Sequence, residues 1–235
     1  MTDTPVLSLP LLQPNQAQKH VTVNEALARL DGLVQLRLTS IGQSIPPAAV
    51  EGIAFGVPAG ATNEWAGQSG KIAIAMNGGW EFVMPGRGWQ AQIMDSGNPA
   101  IFDGQEWRVG ARTLTPGGGS MAIRSAEVDV SLSAGTTVTT PVMFPARAII
   151  FGITGLVTST IAGTATAWEL GVTGDTGRFG TGLGLAQNSW VNGPSTQTVS
   201  WTPLPLEISA TGGTFTAGTI RLVAHFAELS IPDWV

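Results

Sequence analysis

The sequence predicts a mainly β fold, with an N-terminal helix and small β-hairpin domain followed by a C-terminal antiparallel β-sandwich of jelly-roll type. Three observations carry this. Glycine supplies 31 of the 235 residues, about twice its usual share of ~7%, and glycine suits tight turns rather than helix interiors. Charged residues make up only 11%, against roughly 25% in an ordinary globular chain, so much of the surface must be Thr, Ser, Gln, Asn and Gly. The C-terminal half is a succession of short alternating runs broken by turn residues, the pattern of half-buried strands.

Residues 1–22 read as an extended polar arm, with Pro5, Pro10 and Pro14 keeping the backbone out of helix. Thr22-Val-Asn-Glu25 then matches a capping box, in which hydroxyl and carboxylate each accept an orphan amide. Val23, Leu27, Leu30, Val34 and Leu38 follow at helical spacing, so one apolar stripe is expected on a helix ending near residues 39–42. Gly32 is a weak point inside it, costing about 1 kcal/mol relative to alanine. The stripe has two readings: packing on the domain's own sheet, or a seam shared by three copies around an axis.

Residues 23–112 form the helix plus a tryptophan-rich hairpin domain. Its two repeats run from Ala75 to Val83 and from Ala100 to Val109, each with an Asn-Gly or Asp-Gly pair and a tryptophan. Such pairs tolerate the positive φ of type I′ turns, so each repeat is expected to be a hairpin. Trp80, Trp89 and Trp107 are expected in its core. Residues 113–122 contain Thr-Pro-Gly-Gly-Gly-Ser and read as a flexible linker. Residues 123–235 form the sandwich, with strands expected at 127–132, 136–142, 148–154, 165–172, 198–200, 206–209 and 219–227. The polar stretch 174–194 interrupts the alternation and reads as a long loop, usually functional at that length.

Several function classes are excluded by composition. A net charge of −5 without any Lys/Arg cluster leaves no footprint for nucleic acid. Cysteine is absent, which removes disulfides, thiolate chemistry and cysteine-ligated metal. The opening MTDTPVLSLPLL has no basic stretch before an apolar run, so no secretory signal is expected. No run approaches the ~18 apolar residues of a membrane span.

Chemistry has few candidates. His20 and His225 are the two histidines; they stand far apart with no Gly-x-Ser-x-Gly elbow or metal-ligand spacing, so neither a triad nor a metal site is expected. Asp175 in Gly-Asp-Thr-Gly lacks the spaced acids of a calcium loop. Glycoside hydrolysis needs two carboxylates facing across a cleft; Glu127 with Asp129 and Asp103 with Glu106 are the pairs to test. No cofactor is expected. Binding without chemistry fits better. Sugar sites combine a flat aromatic with Asn, Gln, Asp and Arg, and the 174–194 stretch supplies Trp190, Asn188, Gln187, Asn192, Asp175 and Arg178.

The opening segment also carries a resemblance. Gln16-Ala-Gln-Lys-His20, Asn24-Glu-Ala-Leu27, Leu30-Asp31 and the hairpins through Trp107 resemble a family of uncharacterised phage and prophage proteins, and look like head-spike proteins of the gene transfer agent of purple bacteria. The likeness covers roughly residues 5–112. It implies a protein on the surface of a virion or phage-like particle, made in the cytoplasm and released by lysis. Its partners would be other virion chains and a host capsular polysaccharide. Fibres and spikes are commonly trimeric, which favours the trimer seam at Val23, Leu27, Leu30, Val34 and Leu38. The expectation is a non-enzymatic structural and adhesion protein; a polysaccharide-degrading spike and a purely structural connector stay open beside it.

Overall fold

The structure is a computed structural model that describes residues 3–12 and 19–232. The fold is mainly β with one N-terminal helix, and the chain divides into two compact units between Gly118 and Gly119.

In the first unit α1 (Lys19–Val34) precedes β1 (Arg37–Leu38), β2 (Ala54–Gly56), β3 (Ile72–Met76), β4 (Gly79–Val83), β5 (Gln90–Ile93), β6 (Asn98–Phe102), β7 (Trp107–Val109) and β8 (Ala111–Leu114). β1, β5, β6 and β7 make one sheet in that order, with β1 parallel to β5; β2, β3 and β4 make an antiparallel second. The core joins Leu36, Leu38, Ile72, Ile74, Ile93 and their neighbours.

The helix departs from its predicted bounds at both ends. It begins three residues before Thr22, so Thr22 is interior and cannot cap it. It stops at Val34, because Leu36 and Leu38 flank Arg37 with strand alternation and both are buried in the core. Leu36 and Leu38 carbonyls accept from the Gln92 and Met94 amides at 2.9 and 2.8 Å. Leu38 therefore leaves the predicted stripe and belongs to β1. The remaining stripe does not face the sheet. Asp31 is buried and Gly32 is packed, while Val23, Leu30 and Val34 are exposed and Leu27 sits at the margin. Gly32 is no weak point: a Cβ there would come within 2.9 Å of Ile74 Cγ2, so glycine lets helix and β3 approach closely.

The arm is not extended where it is described. Residues 4–9 fold back, with the Thr4 amide donating to the Leu9 carbonyl at 2.9 Å and a bridge pairing Asp3 with Pro10. The turn is gripped by the helix. The buried Asp31 carboxylate accepts from Thr4 Oγ1 at 2.7 Å and from the Val6 and Leu7 amides at 2.9 and 2.6 Å. Asn24 fastens the next segment, accepting from the Leu12 amide at 2.8 Å and donating to its carbonyl at 3.0 Å. Gln16–Gln18 of the signature lie outside the described residues.

The first repeat is the expected hairpin: Asn77 and Gly78 carry φ of 54° and 75° between β3 and β4, as a type I′ turn requires. The second repeat turns differently. Of its central residues only Gly104 has positive φ, and buried Asp103 accepts from the Gln105 and Glu106 amides at 2.8 Å each and from Arg108 Nε. Burial alone would push the Asp103 carboxyl up, but those two amides and the Arg108 guanidinium outweigh it and hold it below the usual carboxylate range. The tryptophans are mainly core. Trp65 and Trp80 meet edge to face at 5.1 Å against Phe55, and Trp107 stacks near Phe102; Trp89 is exposed. The buried N–H groups of Trp65, Trp80 and Trp107 find no acceptor among the described residues.

The predicted linker is shorter and firmer than expected. Residues 113–114 belong to β8, and the following strand already starts at Ser120. Between them Arg87 donates to the Thr115 and Pro116 carbonyls at 2.9 and 3.0 Å, with its other nitrogen on the Asp103 carbonyl at 2.6 Å.

The second unit contains β9 (Ser120–Ser131), β10 (Thr137–Phe144), β11 (Ala148–Gly163), β12 (Ala167–Val172), β13 (Asp175–Leu183), β14 (Trp190–Ser200), β15 (Leu204–Thr211) and β16 (Phe215–Ser230). One sheet runs β10-β15-β12-β13 and the other β14-β11-β16-β9. Successive strands alternate between sheets except at the β12–β13 hairpin, which is the jelly-roll arrangement. Ile153, Val157, Ile220, Leu222 and Ala224 from one sheet pack with Leu170, Leu206 and Ile208 from the other. The predicted loop at 174–194 is mostly strand, leaving Gly174 and residues 184–189 outside β13 and β14. Its Thr, Arg and Asn point outward while Phe179 and Val191 point inward. Glycine permits the close approach: a Cβ on Gly193 would lie 2.0 Å from the Phe179 carbonyl. With so few apolar residues, the stretch shows little alternation in sequence.

Asp31→Ala is expected to cost about 1–3 kcal/mol, the loss of a buried acceptor, and to speed hydrogen exchange at Val6 and Leu7; unchanged exchange there would show that Asp31 does not hold the turn. The depressed Asp103 pKa stabilises the fold above the unfolded value near ~4, and this contribution is lost as pH falls through the folded value. Asp103→Asn should therefore lose less melting temperature than the unsubstituted chain when pH is lowered from about 6 to about 3.

Candidate binding face

The sheet β14-β11-β16-β9 has an inner face in the core and an outer face in solvent, and the ladder registers determine what the outer face presents. Trp190 pairs with Leu156, Leu156 with Arg221, and Arg221 with Asp129. Two residues along, the row is Asn192, Thr154, Val223 and Glu127. Beyond it His225 lies between Ser125 and Thr154, whose hydroxyls sit 3.1 Å from Nδ1 and 3.0 Å from Nε2.

The charges on this face are already matched. Arg221 grips Asp129 with two hydrogen bonds, Nε to Oδ1 at 2.8 Å and a terminal nitrogen to Oδ2 at 2.7 Å, and reaches Glu127 at 3.5 Å. That fork holds the Asp129 carboxyl below its usual range. Glu127 and Asp129 thus lie side by side on β9 and share Arg221 of β16. The other pair behaves alike: Asp103 and Glu106 both bind Arg108, the latter at 3.0 Å. A metal site has no ligand set either; among the described residues no three His, Asp or Glu groups cluster.

The six residues expected to bind sugar divide into three places. Trp190 and Asn192 stand together on the outer face, and the Trp190 side chain is 70% exposed. Gln187 and Asn188 lie in the adjoining 184–189 loop, which is tied down: Gln187 Nε2 donates to the Thr158 carbonyl at 3.0 Å, and the Asn188 amide to Val157 at 2.9 Å. Asp175 and Arg178 belong to β13 in the opposite sheet. At ~3.3 Å per residue Asp175 is roughly 25 Å along the strand from the loop end. Arg178 is engaged with Thr198 Oγ1 and lies over the Phe179 ring. Leu156 is the neighbour of Trp190, and Arg221 and His225 share the outer face with it further across the sheet. The signal for the last two was present in the alternation of 220–227, which puts Arg221, Val223 and His225 on one side.

The first unit offers a second surface, a groove of about 570 Å³ between α1 and the β3–β4 hairpin. Thr22, Glu25 and Arg29 line it from the helix, and Asn77, Trp80 and Glu81 from the hairpin, with Arg29 and Glu81 3.9 Å apart. Glu25, expected to cap the helix, is a groove residue. The capping-box pattern concealed it.

Comparison with known proteins gives a family match in this unit and a similar solved structure. Residues 23–108 match the family DUF2793, described as a protein of unknown function. A chain of the solved cyanophage Pam1 capsid asymmetric unit is similar at 21% identity, over 50% of this chain and 93% of that chain, with a TM-score of 0.34. No curated protein matches.

Because Trp190 is so exposed, Trp190→Ala should change stability by less than about 0.5 kcal/mol. A thermal melt checks this; a large drop would mean that the indole supports the sandwich rather than its surface.

Proposed function

We propose that the chain is a structural and adhesion protein of a phage-like particle that binds a host surface polysaccharide through the outer face of its sandwich, without catalysing a reaction. The observation that carries the binding reading is the exposed Trp190, with Asn192 on its own strand and the Arg221–Asp129 pair two and three strands away in the same row of the face. An aromatic face next to fixed polar groups matches the apolar faces and hydroxyl edges of a sugar, and a rigid sheet holds that geometry in advance. The absence of catalysis is supported by the state of the two carboxylate pairs, each held by an arginine rather than opposed across a substrate-sized gap.

The particle reading rests on the N-terminal signature. Its Asn24 and Asp31 hold the arm to the helix, so the signature builds a folded unit whose exposed stripe of Val23, Leu30 and Val34 is free to meet other virion chains.

Pull-down on purified capsular polysaccharide is expected to retain the chain and to lose about 5- to 150-fold in affinity with Trp190→Ala, the effect of removing one stacking platform of about 1–3 kcal/mol. Unchanged binding would remove the face from consideration, and accumulation of new reducing ends would convert the protein into a depolymerase. Separately, Leu30→Asp with Val34→Asp should reduce incorporation into particles while leaving the melting temperature near that of the unsubstituted chain. Normal decoration would refute the docking role of the stripe.

A further inference from the structure

The outer face that carries Trp190 changes character towards its other end. The row Ile123, Ala227, Ile149 and Val199 runs across all four strands without a polar residue. On one side of it Met121 pairs with Leu229. On the other the β-bulge between Ile150 and Gly152 turns Phe151 outward, where it is 40% exposed. Trp201, just past the end of β14, is 78% exposed, and Leu229 is 70% exposed.

We propose that this apolar half of the sheet is a self-association surface, covered by a second copy of this chain. The area argues for it. With roughly 200 Å² for a large apolar side chain, the exposed fractions of Met121, Ile123, Phe151, Val199, Trp201 and Leu229 amount to roughly 600 Å² of contiguous apolar surface, the upper end for a monomer. A stable pair needs about 800 Å² from each partner; the six supply roughly three quarters of that, and half-buried Ile149 lies among them. The composition argues the same way. Interface cores lack charge and favour Trp, Phe and Met; this band has all three, and its charged residue, exposed Arg147, lies at the Trp201 end, where its amide donates to the Ser200 carbonyl. Its central row is flat, made of branched and small residues, so two such faces can stack as sheets do, about 10 Å apart.

This inference does not rest on the adhesion reading, since none of its residues belongs to the Trp190 end. Sedimentation of the full chain at tens of micromolar should give a mass of at least two 24.3 kDa protomers. Trp201→Gln with Leu229→Gln should weaken association at least tenfold while near-ultraviolet circular dichroism and the melting temperature stay unchanged, because both side chains are exposed. The sequence contains no cysteine, so Ile123→Cys or Val199→Cys, treated with a short bifunctional thiol reagent, should give cross-linked pairs above a blank background. A monomeric chain overturns the proposal even if it decorates particles normally, for the band would then meet a different chain. An oligomer that survives the double substitution overturns it equally.

Discussion

The antiparallel ladder between β11 and β16 governs the sandwich. Each strand is 16 residues long, and the pair runs from Ile149 opposite Ala227 to Gly163 opposite Phe215 through several shifts, with an unbroken register from Gly152 opposite His225 to Val157 opposite Ile220. Side chains alternate with a period of two, so a slip of one residue would turn Ile220, Leu222 and Ala224 into solvent and bury Arg221 and His225. Everything on the outer face follows from that register. Close backbone contact helps to hold it: at the bulge a Cβ on Gly152 would come within 2.5 Å of the Gly193 carbonyl, so only glycine lets β14 lie alongside.

The first unit is organised around a different constraint, a carboxylate away from water. Asp31 is buried and has acceptor capacity for several donors. The chain answers by folding residues 4–9 over it, so that a hydroxyl and two amides reach the same group. Gly32 beside it brings the helix onto Ile74. One side of the helix thereby serves the arm and the sheet, and its hydrophobic stripe is left facing outward.

Where local pattern and tertiary placement agree, the sequence was legible. Asn77-Gly78 forced its turn, and the alternation of 219–227 gave the correct inner and outer faces of β16. Where two patterns overlapped, it misled. Val34 and Leu38 satisfy helical spacing, yet Leu36 and Leu38 also satisfy strand spacing, and burial in the core decided for the strand. Thr22 and Glu25 match a capping box at a site where the helix has already begun. β13 was hidden because glycine and threonine fill it, and what makes it a strand is backbone proximity to β14 rather than apolar periodicity. The sugar-binding candidates inherited that error: treating 174–194 as one loop grouped Asp175 and Arg178 with Trp190, and the strand separates them.

The outer sheet also sets a distance. Trp190 stands in the row of Arg221 and Val199 in the row of Ala227, six residues apart on β16, which at ~3.3 Å per residue is roughly 20 Å. No flexible tether lies between the polar and apolar ends. Two copies joined through their apolar rows would thus hold a pair of Trp190 ends at a spacing fixed by hydrogen-bonded backbone. For a repeating polymer such as a capsule chain, the first attachment then places the second end at high effective concentration when the repeat matches that spacing. A weak single contact becomes a ruler, and its length is written in the strand.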